Sequence, residues 1–212
     1  MLEIFIPAFV TLFVTVDPVS IIPIFVSLTA GASKRHKARM ALMGCLIAAA
    51  LLVMFGLIGD KLLDNFGITL PAFRVAGGIL LFLIALEMLF SKRNERKSKA
   101  AEEIHDVGEP EDISVFPLAI PLLCGPGAIA SIMLLTADQS GHIAGQAVVL
   151  GSGVLVMLIG AALLLLAVRF DHFIPQTISN IITRLLGMLL AALSVQFIFD
   201  GLRSGFSLSA MA

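Results

Sequence analysis

The stretch Asp17-Pro18-Val19-Ser20-Ile21-Ile22-Pro23 constrains the fold more than any other. It sets a carboxylate and two prolines inside a run, residues 2–30, that is otherwise apolar enough to cross a membrane. Proline lacks a backbone N–H and clashes with the preceding turn, and a carboxylate at the centre of a span costs about 3 kcal/mol. A plain anchor would hold neither. A chain that keeps them must bury the break in protein or water, because backbone groups without partners cannot face lipid. Cys124-Gly125-Pro126-Gly127-Ala128-Ile129-Ala130-Ser131 interrupts a second apolar run in a similar way.

The rest of the chain makes the membrane reading firm. With 58% hydrophobic residues, 14% charged residues and a mean hydropathy of +1.03, it is far more apolar than a soluble domain. Its 212 residues hold about six spans of ~20 residues and little else. No room is left for a soluble catalytic domain, so neither an enzyme nor a cofactor is expected. The net charge of −1 and the lack of a long basic face argue against nucleic acid as a partner. The first residues lack the basic region and cleavage site of a signal peptide, so the first run should be retained as a span. Cys45 and Cys124 lie in separate apolar runs with no metal-ligand spacing; they read as small packing residues, and no metal site is expected.

The expected architecture is an all-α polytopic membrane protein with six transmembrane helices. The spans fall near residues 2–30, 40–59, 70–90, 114–137, 143–168 and 181–202. Residues 1–90 form a first three-helix unit, 91–113 a hydrophilic linker, and 114–212 a second unit. Of the 14 Lys and Arg, eleven fall on one side: four in residues 34–39, five in 92–99, then Arg169 and Arg184. Only Lys61, Arg74 and Arg203 fall on the other. Positive loops stay cytoplasmic, so the linker is expected inside and both termini outside, periplasmic in a bacterium. Membrane lipids are the certain partners; assembly with further copies is open.

Three spans per unit is an odd number, so a duplicated unit would insert upside down relative to its twin. At an offset of 108, Pro18 falls on Pro126 and Ile21 on Ile129; at 110, Arg74 falls on Arg184 and Gly77 on Gly187. The sequence thus points to a 3+3 inverted repeat with discontinuous helices 1 and 4. Pro18 suits the first position of a new helix with Asp17 as its N-cap, and Pro126 marks the same point between Gly125 and Gly127. Two positive helix ends would converge near mid-membrane on one cavity, favouring an anionic group. The candidate substrate-binding residues are therefore Asp17, Pro18, Ser20, Pro23, Gly125, Pro126, Gly127, Ser131, Arg74 and Arg184. Either arginine is a prospective partner for the Asp17 carboxylate, and either could instead reach the headgroups. Small residues four apart, such as Gly44 and Ala48, Gly127 and Ser131, or Gly187 and Ala191, suit helix contacts.

These residues carry a resemblance. Asp17-Pro18 with Pro23, the segment Ala72-Phe73-Arg74-Val75-Ala76-Gly77-Gly78 running on to Leu89, and Pro117-Leu118-Ala119-Ile120-Pro121 running on to Ala130 resemble the signature stretches of the MarC family of bacterial inner-membrane proteins. Ser20 stands where family members often have Gly. The resemblance implies a six-span inner-membrane protein placed with the wider LysE-like transporter superfamily, and it names no substrate.

The leading functional expectation is a secondary transporter or exporter of a small polar, anionic solute. Its site would lie at Asp17-Pro18 and Gly125-Pro126-Gly127. A lipid-phosphate translocase is the alternative, with half-helix ends and arginines holding a phosphate. Membrane redox through Cys45 and Cys124 fits poorly, since at the 108 offset Cys124 falls on Val16. A non-transporting scaffold or regulator remains open. A multidrug pump is disfavoured by the absence of Tyr and Trp.

Overall fold

A computed structural model of the chain describes residues 1–90, 112–170 and 176–209, and every regular element among them is helical. In chain order these are α1 (Leu2–Val16), α2 (Pro18–Leu28), α3 (Lys34–Asn65), α4 (Leu70–Leu89), α5 (Pro126–Ala137), α6 (Ile143–Arg169) and α7 (Gln176–Ser209). An irregular segment, Ser114–Leu123, precedes α5. Five helical stretches are long and apolar enough to cross a membrane, or six if the bent pair of Ser114–Leu123 with α5 counts as one span.

Local chemistry sets the boundaries. Ser33 and Thr69 cap α3 and α4, their side-chain oxygens accepting from the amides of His36 and Ala72. The short turn between these helices passes through Gly67 at φ 66°, a conformation that suits glycine. α3 is longer than the apolar run suggested: it continues past residue 59 through Asp60 and Lys61 to Asn65. α7 begins at Gln176, not near 181. Residues 91–111, most of the proposed linker, lie outside the described residues.

The fourth run departs most from a plain helix. Phe116 (φ −137°, ψ 124°) and Ile120 (φ −126°, ψ 125°) are extended, as residues before proline tend to be. Each is followed by a cis bond, to Pro117 and Pro121. The chain closes instead through wide turns, with Leu118 N–H donating to the Ile113 carbonyl at 3.1 Å and Cys124 N–H to the Ala119 carbonyl at 2.8 Å. Between this segment and α5 the path bends by 62°.

Packing is interleaved. α3 lies against Ser114–Leu123 and α5, α6 lies against α1 and α2, and α3 and α6 meet each other. α4 and α7 form a tight antiparallel pair, with Pro71 beside Gly201 and Met88 beside Gly187. The span formed by α1 and α2 is the most enclosed: 72% of its most apolar stretch is buried, against 22% for that in α7. Leu12, Ile21, Phe25, Leu118, Leu122 and Ile132 are fully buried around it.

A buried carboxylate at a helix break

α1 ends and α2 begins on either side of one residue. Asp17 adopts the left-handed conformation, φ 51° and ψ 64°, the only non-glycine residue among those described to do so. Aspartate tolerates this conformation better than most residues. Pro18 follows at the first position of α2, where its missing N–H costs nothing. Asp17 thus occupies the N-cap position, but its side chain makes no capping hydrogen bond. Its N–H donates back to the Phe13 carbonyl at 2.9 Å, and its own carbonyl accepts from Ser20 Oγ at 3.0 Å. Ser20 therefore stitches the break together. Pro23 sits within α2 without ending it.

The carboxylate itself is fully buried. Oδ2 accepts a hydrogen bond from Thr183 Oγ1 of α7 at 3.4 Å, while Oδ1 has no hydrogen-bond partner among the described residues. One turn earlier on α7, Ser179 Oγ donates to the Val19 carbonyl at 3.4 Å. Two hydroxyls on one face of α7 therefore meet the break, and both were missed in the sequence reading. Their spacing of four places them on one helical face; the late start assigned to this span hid the pair.

Neither arginine serves Asp17, correcting that expectation. Arg74 Nε donates to Asp138 Oδ1 at 2.9 Å, its Nη2 also contacts that oxygen, and its Nη1 reaches Ser204 Oγ at 3.4 Å. It ties α4 to the end of α5 and to α7. Arg184 is exposed on α7. Asp17 forms no ion pair among the described residues.

At the second break Gly125 caps α5 in extended conformation and Pro126 takes the first helical position. A Cβ on Gly125 would lie 2.9 Å from the Pro121 carbonyl, so the glycine permits the bend. Pro126 is exposed, unlike the buried Pro18. Gly127 is buried against α4, where an added Cβ would meet Ile84 Cδ1 at 2.4 Å. Ser131, one turn further, is fully buried, and its Oγ has no hydrogen-bond partner among the described residues. The two breaks are linked through neighbours: α7 carries Thr183 to Asp17 and, one turn on, Gly187 to Ala85 and Met88 of α4, beside the Ile84 that faces Gly127. Among the described residues no three His, Cys, Asp or Glu side chains gather as a metal site. Cys45 and Cys124 are buried free thiols.

Comparison with known proteins matches residues 2–206 to the family described as MarC family integral membrane protein. A UPF0056 membrane protein of Methanocaldococcus jannaschii is 38% identical over 207 residues, covering 95% of this chain and 87% of its own. YvbG of Bacillus subtilis is 35% identical over 205 residues, covering 93% of each chain. YhcE of Escherichia coli is 36% identical over 200 residues, covering 93% of this chain and 91% of its own. No solved structure matches the chain. Relatives in archaea as well as bacteria widen the bacterial setting that the resemblance implied. With nearly its whole length matched, the chain belongs to the MarC family of integral membrane proteins.

Proposed function

We propose that the protein is a secondary transporter of a small polar, anionic solute, carried unchanged through a site between the two helix breaks. The observation that carries this reading is Asp17: a fully buried carboxylate at a break in the most enclosed span, with one oxygen lacking a hydrogen-bond partner among the described residues. A buried acidic group only half satisfied is costly and is kept for function more readily than for stability. Ser131 Oγ, also buried and without a hydrogen-bond partner among the described residues, supplies a second polar group beyond the other break. A bound solute would complete both, its anionic end facing the first N–H groups of α2 and α5.

The interleaved packing supports the inverted-repeat reading. Exchanging the halves swaps α3 with α6 and the α1–α2 span with Ser114–Leu123 plus α5, and the observed neighbours exchange accordingly. In that reading the discontinuous spans 1 and 4 rock against the longer helices, in a cytoplasmic membrane with both termini outside.

The test is flux. Solutes would first be screened by thermal stabilisation of the purified protein, then followed in proteoliposomes. Asp17→Asn should cut flux at least about tenfold, a rise of about 1.4 kcal/mol in the barrier, while the protein stays monodisperse. Flux unchanged in that variant rejects the site.

A further inference from the structure

The outer face of α3 breaks a local rule. Lys34, Arg35 and Lys37 crowd its first turns, with Arg39 just beyond and no acidic residue in the first turn. Cations there oppose the positive end of the helix dipole. The carboxylate nearby, Asp112, is held below the ordinary range first by its hydrogen bonds from Ser114, and only then by the charges of His36 and Arg39. Among the described residues, one carboxylate does not balance this cluster.

The same face turns apolar within two turns. Arg35, Arg39, Leu42 and Leu46 follow the spacing of one helical stripe. They line a groove of about 770 Å³ together with His36 and Met43. Leu42 is 51% exposed and Leu46 65%. From Arg39 to Leu46 the stripe runs about 10 Å along the axis, from a cationic head to a hydrocarbon-facing wall.

We infer that this face binds an anionic phospholipid, its phosphate held by Arg35 and Arg39 and its acyl chains lying along Leu42, Met43 and Leu46. Charge complementarity selects the head group, and the apolar continuation selects a lipid over free phosphate. A second copy is disfavoured, because a two-fold contact on this face would bring the same cations together. Basic groups at the cytoplasmic ends of spans meet the leaflet richest in anionic lipid. This inference does not depend on the transport reading.

Purified protein would be placed in nanodiscs of phosphatidylcholine, alone or with one quarter phosphatidylglycerol, and lipid retention followed by native mass spectrometry. Wild type should retain phosphatidylglycerol preferentially. Arg35→Gln and Arg39→Gln should each weaken that retention about fivefold, and Arg35→Lys with Arg39→Lys should restore most of it. Lys61→Gln with Arg203→Gln, remote in the expected topology, should change nothing. Equal retention of both lipids, retention indifferent to Arg35→Gln and Arg39→Gln, or displacement of the lipid by millimolar inorganic phosphate would overturn the inference.

Discussion

At the scale of single residues, the hydroxyl of Thr183 is the one side-chain donor that Asp17 has among the described residues. Thr183→Val preserves shape and removes the donor, leaving a buried carboxylate with less support. It should lower stability by about 1–2 kcal/mol, read as a lower midpoint in thermal unfolding in detergent, whereas Thr183→Ser should stay close to wild type. An equal loss in both variants would assign Thr183 to packing instead. Asp17 was legible in the sequence because a lone carboxylate in an apolar run has few uses. Thr183 was not, because buried hydroxyls in such helices commonly bond their own backbone. Thr15, Thr29 and Thr136 do so here, each donating to a carbonyl four residues back, and nothing in composition separates them from Thr183. The partner of Arg74 was equally hidden, since Asp138 lies 64 residues away and only the packing of α5 on α4 brings them together.

At the scale of elements, the adjacent glycines Gly77 and Gly78 face different neighbours and should respond differently to the same change. A Cβ on Gly77 meets the end of the flexible Leu134 side chain, Cδ1 at 2.6 Å, which can rotate away. A Cβ on Gly78 lies 2.8 Å from the Ser194 carbonyl and 3.1 Å from Ile198 N, both backbone of α7. Gly78→Ala must push the two helices apart and should cost about 1–3 kcal/mol, while Gly77→Ala should cost less than ~1 kcal/mol. Unfolding midpoints in denaturing detergent check the ranking, and equal costs would mean that α7 yields. The small-residue spacing foretold a close helix pair around Gly187, but not which glycine touches backbone. Helix existence was legible from hydropathy; helix ends were less so, because α3 carries charged residues well past its apolar run. Proline by itself does not decide where a helix breaks. Pro7 and Pro23 sit inside helices, while Pro117 and Pro121, four apart, come with extended Phe116 and Ile120 and remove the plain helix from the fourth run.

At the scale of the whole molecule, Arg74 near the start of α4, Asp138 at the end of α5 and Ser204 near the end of α7 meet in one cluster, so those three helix ends share a side. The loop of residues 29–33 joins the other ends of α2 and α3. Charge assigns the sides: the α3 start is the basic one, expected in the cytoplasm, and the α5–α6 turn is then expected outside. Ser33 and Ser140 are both exposed and sit on these opposite faces. Cys45 and Cys124 are buried, so background labelling should be low, and replacing both by Ser removes it. In intact bacterial cells a membrane-impermeant maleimide should label Ser140→Cys and spare Ser33→Cys until the membrane is permeabilised. Labelling of Ser33→Cys alone in intact cells would invert the molecule. It would also place the basic stripe of α3 on the outer leaflet, away from the anionic lipid it is inferred to bind, so this one measurement bears on both the topology and the lipid site.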